Sequence, residues 1–478
     1  MSKYWLTSEG EIKVSSELFA AVDIGTTNVK VALFDQEGNK SFDFQQRCAQ
    51  SPRNAAHEIE PDRWWKAVVQ AFHTMDEELR KRIVTVCVTG QGPTIVLVDK
   101  NGKTLGKAIT WLDKRGYQNI SSIIQRGVDE QVATVLCNLL AIKDTIKEAY
   151  LIQPSDYIIL KLTGMIVNAT FPFEGYLPWN QNVLSGFGLD KTFFIPEMVE
   201  AGTIIGKINK TASKTLKISD DVQIVAGSPD FAMALIGTGV LEDEMLCDRG
   251  GTSQGLTLCS KQRLPCKGLM TTPFFIADHW KISAVMTTTG KAYEWFSQNI
   301  ARARLVGLSQ LIAVKRPTRV IFLPHLNGER SPYWNKDLKG VFFGLSLKDD
   351  WRSLLVSVIE GVGYAMKHII GIMESCGYSI KSIRATGGQA MNELWNQIKA
   401  DVLGREIEIP QVFDSELLGC AIISISALTG ENFVDLSKRI VKISKVFFPL
   451  KSRHNEYEKL FEVYEKLHER NMDLFGKL

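Results

Sequence analysis

The stretch AVDIGTTNVKVALFD, residues 21–35, decides the fold. Ala21, Val22 and Ile24 flank Asp23, and Val29, Val31, Leu33 and Phe34 resume the apolar pattern after a polar interruption. That pattern reads as strand, tight turn, strand. Gly25 lets the chain bend, and Thr26, Thr27 and Asn28 are ordinary turn formers. The same residues admit a second reading, in which amides around Gly25 make a concavity for an anion, the threonine hydroxyls add donors, and Asp23 faces a metal held by that anion. A nucleoside triphosphate with magnesium satisfies all of these.

At 478 residues the chain exceeds one ordinary core, so two domains are expected, residues 1–238 and 239–478. Forty-five per cent hydrophobic and 23% charged residues make a globular composition that argues against disorder. Fifty-six basic against 53 acidic residues leave a formal charge of +3, which gives no electrostatic ground for nucleic acid or an anionic membrane as partner. The eight cysteines include no C-x-x-C pair and no histidine at metal-ligand spacing, so reduced, mostly buried thiols are expected. The first 25 residues do not have the pattern of a secretory signal, and no run is read as long enough to cross a bilayer. A cytoplasmic enzyme or ATPase fits these features.

Further along, EIEPDRWWKAVVQAF predicts a helix that starts near Pro61 and turns Trp65, Val68, Val69 and Phe72 to one face. Residues 82–113 read as strand, loop, strand, with Asn101 and Gly102 at a hairpin turn. The segment CDRGGTSQGLTLCS then repeats the opening design, with Gly251, Thr252 and Ser253 standing where Gly25, Thr26 and Thr27 stood. Such internal similarity implies a duplicated α/β architecture whose two turns face a central cleft. A third glycine turn, IRATGGQAMNELWNQIKADVLG, follows a predicted strand at 383–385 and opens a helix through Trp395, Ile398 and Val402. Gly387 and Gly388 allow close approach of a flat or anionic ligand there, and equally serve a plain strand-to-helix turn. Tyr457, Leu460, Phe461 and Tyr464 form a core stripe on a C-terminal helix.

Three elements in this order, DIGTT, GGTS and TGGQAMNELWNQIKADVLG, resemble the FGGY family of sugar kinases, within the actin, hexokinase and Hsp70-like ATPase fold. GVFFGLSLKDDWRSLLVSVIEG, residues 340–361, is similar to that family's C-terminal signature, with Ser353 at a position the family gives to histidine, acid or amide. The resemblance implies two duplicated ribonuclease H-like domains that use ATP and Mg2+. It makes Asp23 a direct or water-bridged partner of magnesium and places Gly25, Thr26, Thr27 and Lys30 near the phosphates, with Gly251, Thr252 and Ser253 opposite. Gly387, Gly388, Gln389 and Asn392 match the adenosine loop. Asp230, in AGSPDFAMALIGTG, matches the catalytic base, whose task is to take the proton of the acceptor hydroxyl as the bond to the γ-phosphate forms. Pro229 and Phe231 depart from the glycine and amide that the family places around this acid, and an acid here also suits a helix cap.

For the substrate, the family's sugar-facing loop is TGQGPT, residues 89–94, in which Gly92 and Pro93 replace the arginine and glutamate of glycerol kinases and the methionine and histidine of xylulokinases. Losing the charged pair argues against glycerol and leaves volume for a pentulose, a hexulose or a longer polyol. Gln91, Gly92, Trp111 and Asp113 are the sugar-binding candidates, with Asp230 at the reacting hydroxyl. Trp111 equally suits a core position. FPFEGY, containing Phe173, Glu174 and Tyr176, departs from the family and carries no contact assignment. The expected activity is ATP-dependent phosphorylation of the terminal primary alcohol of a ketose. The alternatives are a kinase for a polyol or sugar acid, a non-kinase actin-like ATPase, and a sugar-binding regulator derived from a kinase. A homodimer is admissible, though no residue marks its interface.

Overall fold

The computed structural model describes residues 17–48, 57–113, 115–126, 128, 130–171, 180–301 and 309–478. The chain divides into two compact units, Met1–Gly237 with Glu416–Ile440 and Thr238–Ser415 with Val441–Leu478.

In the first unit, β1 (Leu18–Ile24) is buried at every position, as a strand covered on both faces must be. It pairs antiparallel with β2 (Asn28–Phe34), and the Gly25 amide donates to the Asn28 carbonyl at 2.9 Å to close the turn. The expected strand, turn, strand is therefore present. β3 (Lys40–Arg47) extends the antiparallel side. After α1 (Pro61–Thr74), β4 (Ile83–Gly90) returns parallel to β1. Beyond α2 (Pro154–Thr163) come the edge strand β5 (Ile204–Lys207) and β6 (Gln223–Pro229), which lies parallel to β4. The six-stranded order is β5-β6-β4-β1-β2-β3. α3 (Asp230–Thr238) starts directly at the end of β6.

Helix α1 starts at Pro61 as expected but presents a face rotated by one residue: Trp64, Ala67, Val68, Ala71 and Phe72 are buried, whereas Trp65 and Val69 are only partly so. Two adjacent tryptophans fit a helical period almost equally well. Packing selects Trp64, whose ring meets Tyr157 of α2 edge-on at 6.5 Å.

The second unit repeats the plan. β7 (Met245–Gly250), β8 (Gln254–Ser260), the edge strand β9 (Met270–Pro273) and β10 (Trp280–Met286) form its antiparallel part. After α4 (Gly290–Asn299) and the long α5 (Trp351–Ser375), β11 (Ser382–Thr386) runs parallel to β7. After α6 (Glu393–Leu403), β12 (Ile407–Pro410) runs parallel to β11. Helix α7 (Ser415–Thr429), the edge strand β13 (Ile443–Phe447) and α8 (Lys451–Phe475) complete the chain. The seven-stranded order is β9-β10-β8-β7-β11-β12-β13. Its inner run β10-β8-β7-β11-β12 reproduces β3-β2-β1-β4-β6 in order and direction, so the duplication suggested by the two glycine turns is one of topology.

Three expectations need correction. The boundary between residues 238 and 239 overlooks Glu416–Ile440, which belongs with the first unit. Within that unit Gly419 of α7 lies so close to the Met233 carbonyl of α3 that any side chain would collide with it. Helix periodicity reports an apolar face and not which core will bury it. The cysteines are not all reduced either, because Cys266 and Cys376 are joined with Cα atoms 5.7 Å apart; the other six are free and buried. Their separation of 110 residues hides the pairing from any spacing rule. Finally, α5 is long and apolar enough to span a bilayer by length and composition, yet 78% of its most apolar window is buried inside the unit. It is a core helix in this structure.

A buried ion pair braces the second unit. Lys399 of α6 donates to Asp248 of β7 at 2.5 Å, and Gln254 of β8 donates to the other carboxylate oxygen at 2.6 Å. Both charged groups are at most 1% exposed. Removing one partner strands the other charge in the core, so Lys399→Met is expected to cost about 3–5 kcal/mol in thermal or denaturant unfolding. Adding Asp248→Asn should recover part of that loss; an unchanged unfolding midpoint for Lys399→Met would contradict this account.

Helix α8 buries Tyr457 and Tyr464 completely, as its stripe predicts, and also buries His468. The His468 ring stacks on Tyr333 at 3.9 Å and stands 5.3 Å from His325 edge-on. Burial, reinforced by the neighbouring His325 and His368, pushes the His468 pKa down to about 3. The unfolded chain takes up this proton below about pH 6.5 and the folded chain does not, so the contribution is full above that pH and is lost on acidification. By pH 4 the loss from this one group should reach about 3 kcal/mol. His468→Phe, which keeps an aromatic ring on Tyr333, should flatten the stability profile between pH 6.5 and 4 relative to the parent; parallel profiles for the two proteins would refute the assignment.

Candidate active site

The register of the first sheet places its chemistry. Asp23 stands opposite Thr89, Ile24 opposite Gly90, and Gly90 opposite Pro229, so Gly25, Gln91 and Asp230 each follow one row of residues at the carboxyl ends of three adjacent parallel strands. Neighbouring strands are about 4.8 Å apart, which spreads the three positions over about 10 Å. Carboxyl ends of parallel strands are where open α/β sheets bind ligands, because the strand bodies are occupied with core packing. Asp23 is 5% exposed and is the cross-strand partner of Lys30. Asp230 is part-exposed at the first position of α3.

Trp111 ties the candidates of this unit together. Its indole N–H is shared between the Thr26 hydroxyl oxygen at 3.2 Å and the Gln91 carbonyl oxygen at 3.1 Å. Gln91 is held from behind by its own amide, which donates to the Ile24 carbonyl at 2.9 Å. Gly92 follows in a cis peptide to Pro93. Thus the DIGTT turn, the TGQ loop and the WLD segment form one connected network.

Asp113 has a different place from the one its motif suggests. It is fully buried, and its two oxygens receive the Arg115 side chain at 2.9 and 2.8 Å, the Arg115 amide at 3.0 Å and the His57 amide at 2.8 Å. Burial alone would raise its pKa; the Arg115 and His57 hydrogen bonds outweigh this and hold the carboxyl below the usual range. Arg115 also reaches Glu58 at 2.6 Å. Asp113 therefore fastens the segment that carries Trp111 and has no carboxylate edge left for a sugar. Sequence reasoning missed Arg115 and Glu58, although D-x-R is a visible pair once the segment is read as a loop.

In the second unit the register sets Arg249 opposite Thr386, the arrangement of Asp23 and Thr89, so Gly251 is the counterpart of Gly25 and Gly387 of Gly90. Thr252 is exposed and Ser253 part-exposed. The turn is braced by the start of α4: the Thr289 and Lys291 amides donate to the Thr252 carbonyl at 3.3 and 3.0 Å, and the Gly290 amide to the Gly251 carbonyl at 3.2 Å. TTTGK, residues 287–291, was not singled out in the sequence, where only the Thr-Gly step before an amphipathic run marks a helix start. Gln389 is buried, and its amide donates to the Gly251 carbonyl at 3.0 Å and to the Thr289 hydroxyl at 2.9 Å. Its side chain thus clamps the Gly251 turn. Asn392 caps α6 by accepting from the Trp395 amide at 3.0 Å, and Gly388 remains exposed with open space around it.

Phe173, Glu174 and Tyr176 lie outside the described residues. Among the described residues no group of three or more acidic, cysteine or histidine side chains could hold a metal by itself. Magnesium is commonly held by one or two carboxylates together with substrate phosphates and water. Asp23, a buried acid beside a turn of amides and hydroxyls, fits such a role.

The duplicated sheets with their hairpin turns are those of the actin-like ATPase fold. Residues 18–237 match the N-terminal domain of the FGGY family of carbohydrate kinases, and residues 249–428 match its C-terminal domain. The chain belongs to this family and is a sugar kinase. It is 26% identical to a xylulose kinase of Staphylococcus epidermidis over 97% of this chain and 98% of that one. It is 24% identical to a gluconokinase of Bacillus licheniformis over 93% of this chain and 94% of the relative. Ligand-bound xylulose kinase from Lactobacillus acidophilus shares the fold with a TM-score of 0.83 at 21% identity, over 96% and 99% of the two chains.

Two glycines of the second unit give a structural test. Gly387 has φ +79°, and a Cβ there would lie 2.6 Å from the Gly250 carbonyl, whereas a Cβ on Gly388 would meet nothing within 4 Å. Gly387→Ala is expected to destabilise the protein by about 1–3 kcal/mol, from the positive-φ backbone conformation that only glycine adopts readily and from the collision. Gly388→Ala should leave the unfolding midpoint in place; equal midpoints for both variants would mean that the turn accommodates a Cβ at residue 387.

Proposed function

We propose that this sugar kinase transfers the γ-phosphoryl group of ATP to the terminal primary hydroxyl of a ketose, with a pentulose as the leading substrate. The observation that carries the proposal is the row formed by Gly25, Gln91 and Asp230 at the carboxyl ends of β1, β4 and β6. It brings a phosphate-type turn, an amide and a carboxylate to one end of one sheet.

In this reading Gln91, Gly92 and Trp111 receive the sugar, and Asp113 keeps Trp111 in position. Gly25, Thr26, Thr27 and Lys30 contact phosphate oxygens, as do Gly251, Thr252 and Ser253 of the second unit. Gly387, Gly388 and Asn392 lie along the nucleoside, with Gln389 bracing the turn. Asp23 holds Mg2+, which when bound offsets charge on the phosphates. Asp230 accepts the proton of the sugar hydroxyl, whose oxygen bonds to the γ-phosphorus as the bond to the β,γ-bridging oxygen breaks and ADP leaves. Two things support a ketose: Gly92 and Pro93 supply no charged partner for a small polyol, and xylulose kinases are among the similar proteins. The similarity to a gluconokinase makes a sugar acid the second acceptor class.

ADP release should be followed with Mg-ATP across ketopentoses, ketohexoses, polyols, sugar acids and glycerol. A ketose is expected to stimulate it, and Asp230→Asn should lower the stimulated rate by about 10²-fold or more while ADP still binds. Stimulation by sugar acids alone would move the substrate to the second class, and full turnover by Asp230→Asn would remove the assigned base.

A further inference from the structure

We infer that the Trp111 indole N–H is a positioning donor that couples sugar occupancy to the phosphate turn. This inference rests on the sugar kinase reading above and adds a device for restraining ATP hydrolysis in the absence of sugar. The geometry consists of one hydrogen shared by two acceptors, Thr26 Oγ1 at 3.2 Å and Gln91 Oε1 at 3.1 Å. An indole N–H can only donate, so the Gln91 atom that faces it must be the oxygen. The Gln91 NH2 group is thereby turned away from the indole as a donor for a ligand. The same contact occupies a lone pair of the Thr26 hydroxyl and leaves its hydrogen to point elsewhere, so Thr26 is biased to donate. A single N–H therefore orients one group assigned to the sugar and one assigned to phosphate.

The bridge has a rigid support. The Asp113 carboxylate binds Arg115 and the His57 amide, Arg115 binds Glu58, and Glu58–Ile59 pairs with Ala108–Ile109 just before Trp111. On the other side Gln91 is tethered to Ile24 at the end of β1, one residue before the turn begins. A sugar that packs on the Trp111 ring or bonds to Gln91 adds a restraint from the ligand side to an indole that already reaches Thr26 and Gln91, and so holds the Thr26 hydroxyl more firmly in its donating orientation. Without sugar that ligand-side restraint is missing, the Thr26 donor is held less firmly, and water is a poorer acceptor for the phosphoryl group. Group transfer itself keeps the balance given above, and Trp111 exchanges no proton.

The test is a double-mutant cycle on the ratio of sugar-stimulated to sugar-free ADP release. Trp111→Phe keeps an aromatic face and deletes the N–H; Thr26→Val keeps the shape and deletes one acceptor. Each single variant is expected to lower the ratio by about tenfold, and the double variant by clearly less than the product of the two, because the Trp111–Thr26 hydrogen bond is lost in both. Multiplicative losses would mean that each residue serves its own ligand independently, and an unchanged ratio in Trp111→Phe would mean that the N–H carries nothing; either overturns the inference. If Trp111→Phe does not fold, the cycle is run with Gln91→Leu and Thr26→Val, which are linked only through the indole N–H: less-than-multiplicative losses support the coupling and multiplicative losses overturn it. If the parent protein shows no stimulation by any sugar, the kinase reading of the substrate site fails first and the coupling falls with it, whereas a stimulated parent with multiplicative variants refutes the coupling alone.

Discussion

A strand buried on both faces can carry chemistry only where it ends. In β1 every position is buried, its neighbours β4 and β2 are paired along its length, and polar function is pushed to the residues at and after Asp23. The parallel registers of β4 and β6 then bring Gln91 and Asp230 to the same edge. The turn at Gly25, the loop at Gln91 and the carboxylate of Asp230 are neighbours because three strands share one direction. Reversing any of them would carry its terminal residue to the far end of the sheet.

The two units show how one topology can be tuned in opposite ways. Asp23 and Arg249 occupy corresponding positions two residues before their turn glycines, so the first unit sets an acid there and the second a base. One residue earlier in β7, Asp248 lies on the opposite face and is spent on the core pair with Lys399. Alternation along a strand accounts for the contrast: a shift of one position moves a carboxylate from the strand's functional face to its packing face. The turns are also braced differently. Thr26 is held through Trp111 and Gln91, whereas Gly251 is held by Gln389 and the first residues of α4.

Several side chains that carry a motif in sequence prove to be supports in space. Asp113 sits in a stretch similar to the family's sugar-facing segment, yet its oxygens are consumed by Arg115 and His57. Gln389 follows the paired glycines of a nucleoside-type loop, yet its amide faces the other turn. Nothing local distinguishes a ligand-facing amide from one that binds a backbone carbonyl more than a hundred residues away. The same holds for Trp64 and Trp65, where periodicity admits both and only Tyr157 chooses.

By itself the sequence determined the elements and their kinds: the hairpin at 18–34, its repetition at 245–260, the strand before Gly387, the helix starting at Pro61 and the stripe of α8. These follow from short-range physics, namely apolar period, turn-forming residues and helix caps, which act within about ten residues. Motif order also carried the family, because three short signals in sequence constrain far more than any one. Tertiary structure alone decided the rest: that α7 joins the first unit, that Cys266 meets Cys376, that Asp113 receives the His57 amide, and that one indole N–H serves both Thr26 and Gln91. Each depends on the distance between residues remote in the chain, and that distance is set by sheet register and core packing rather than by local sequence.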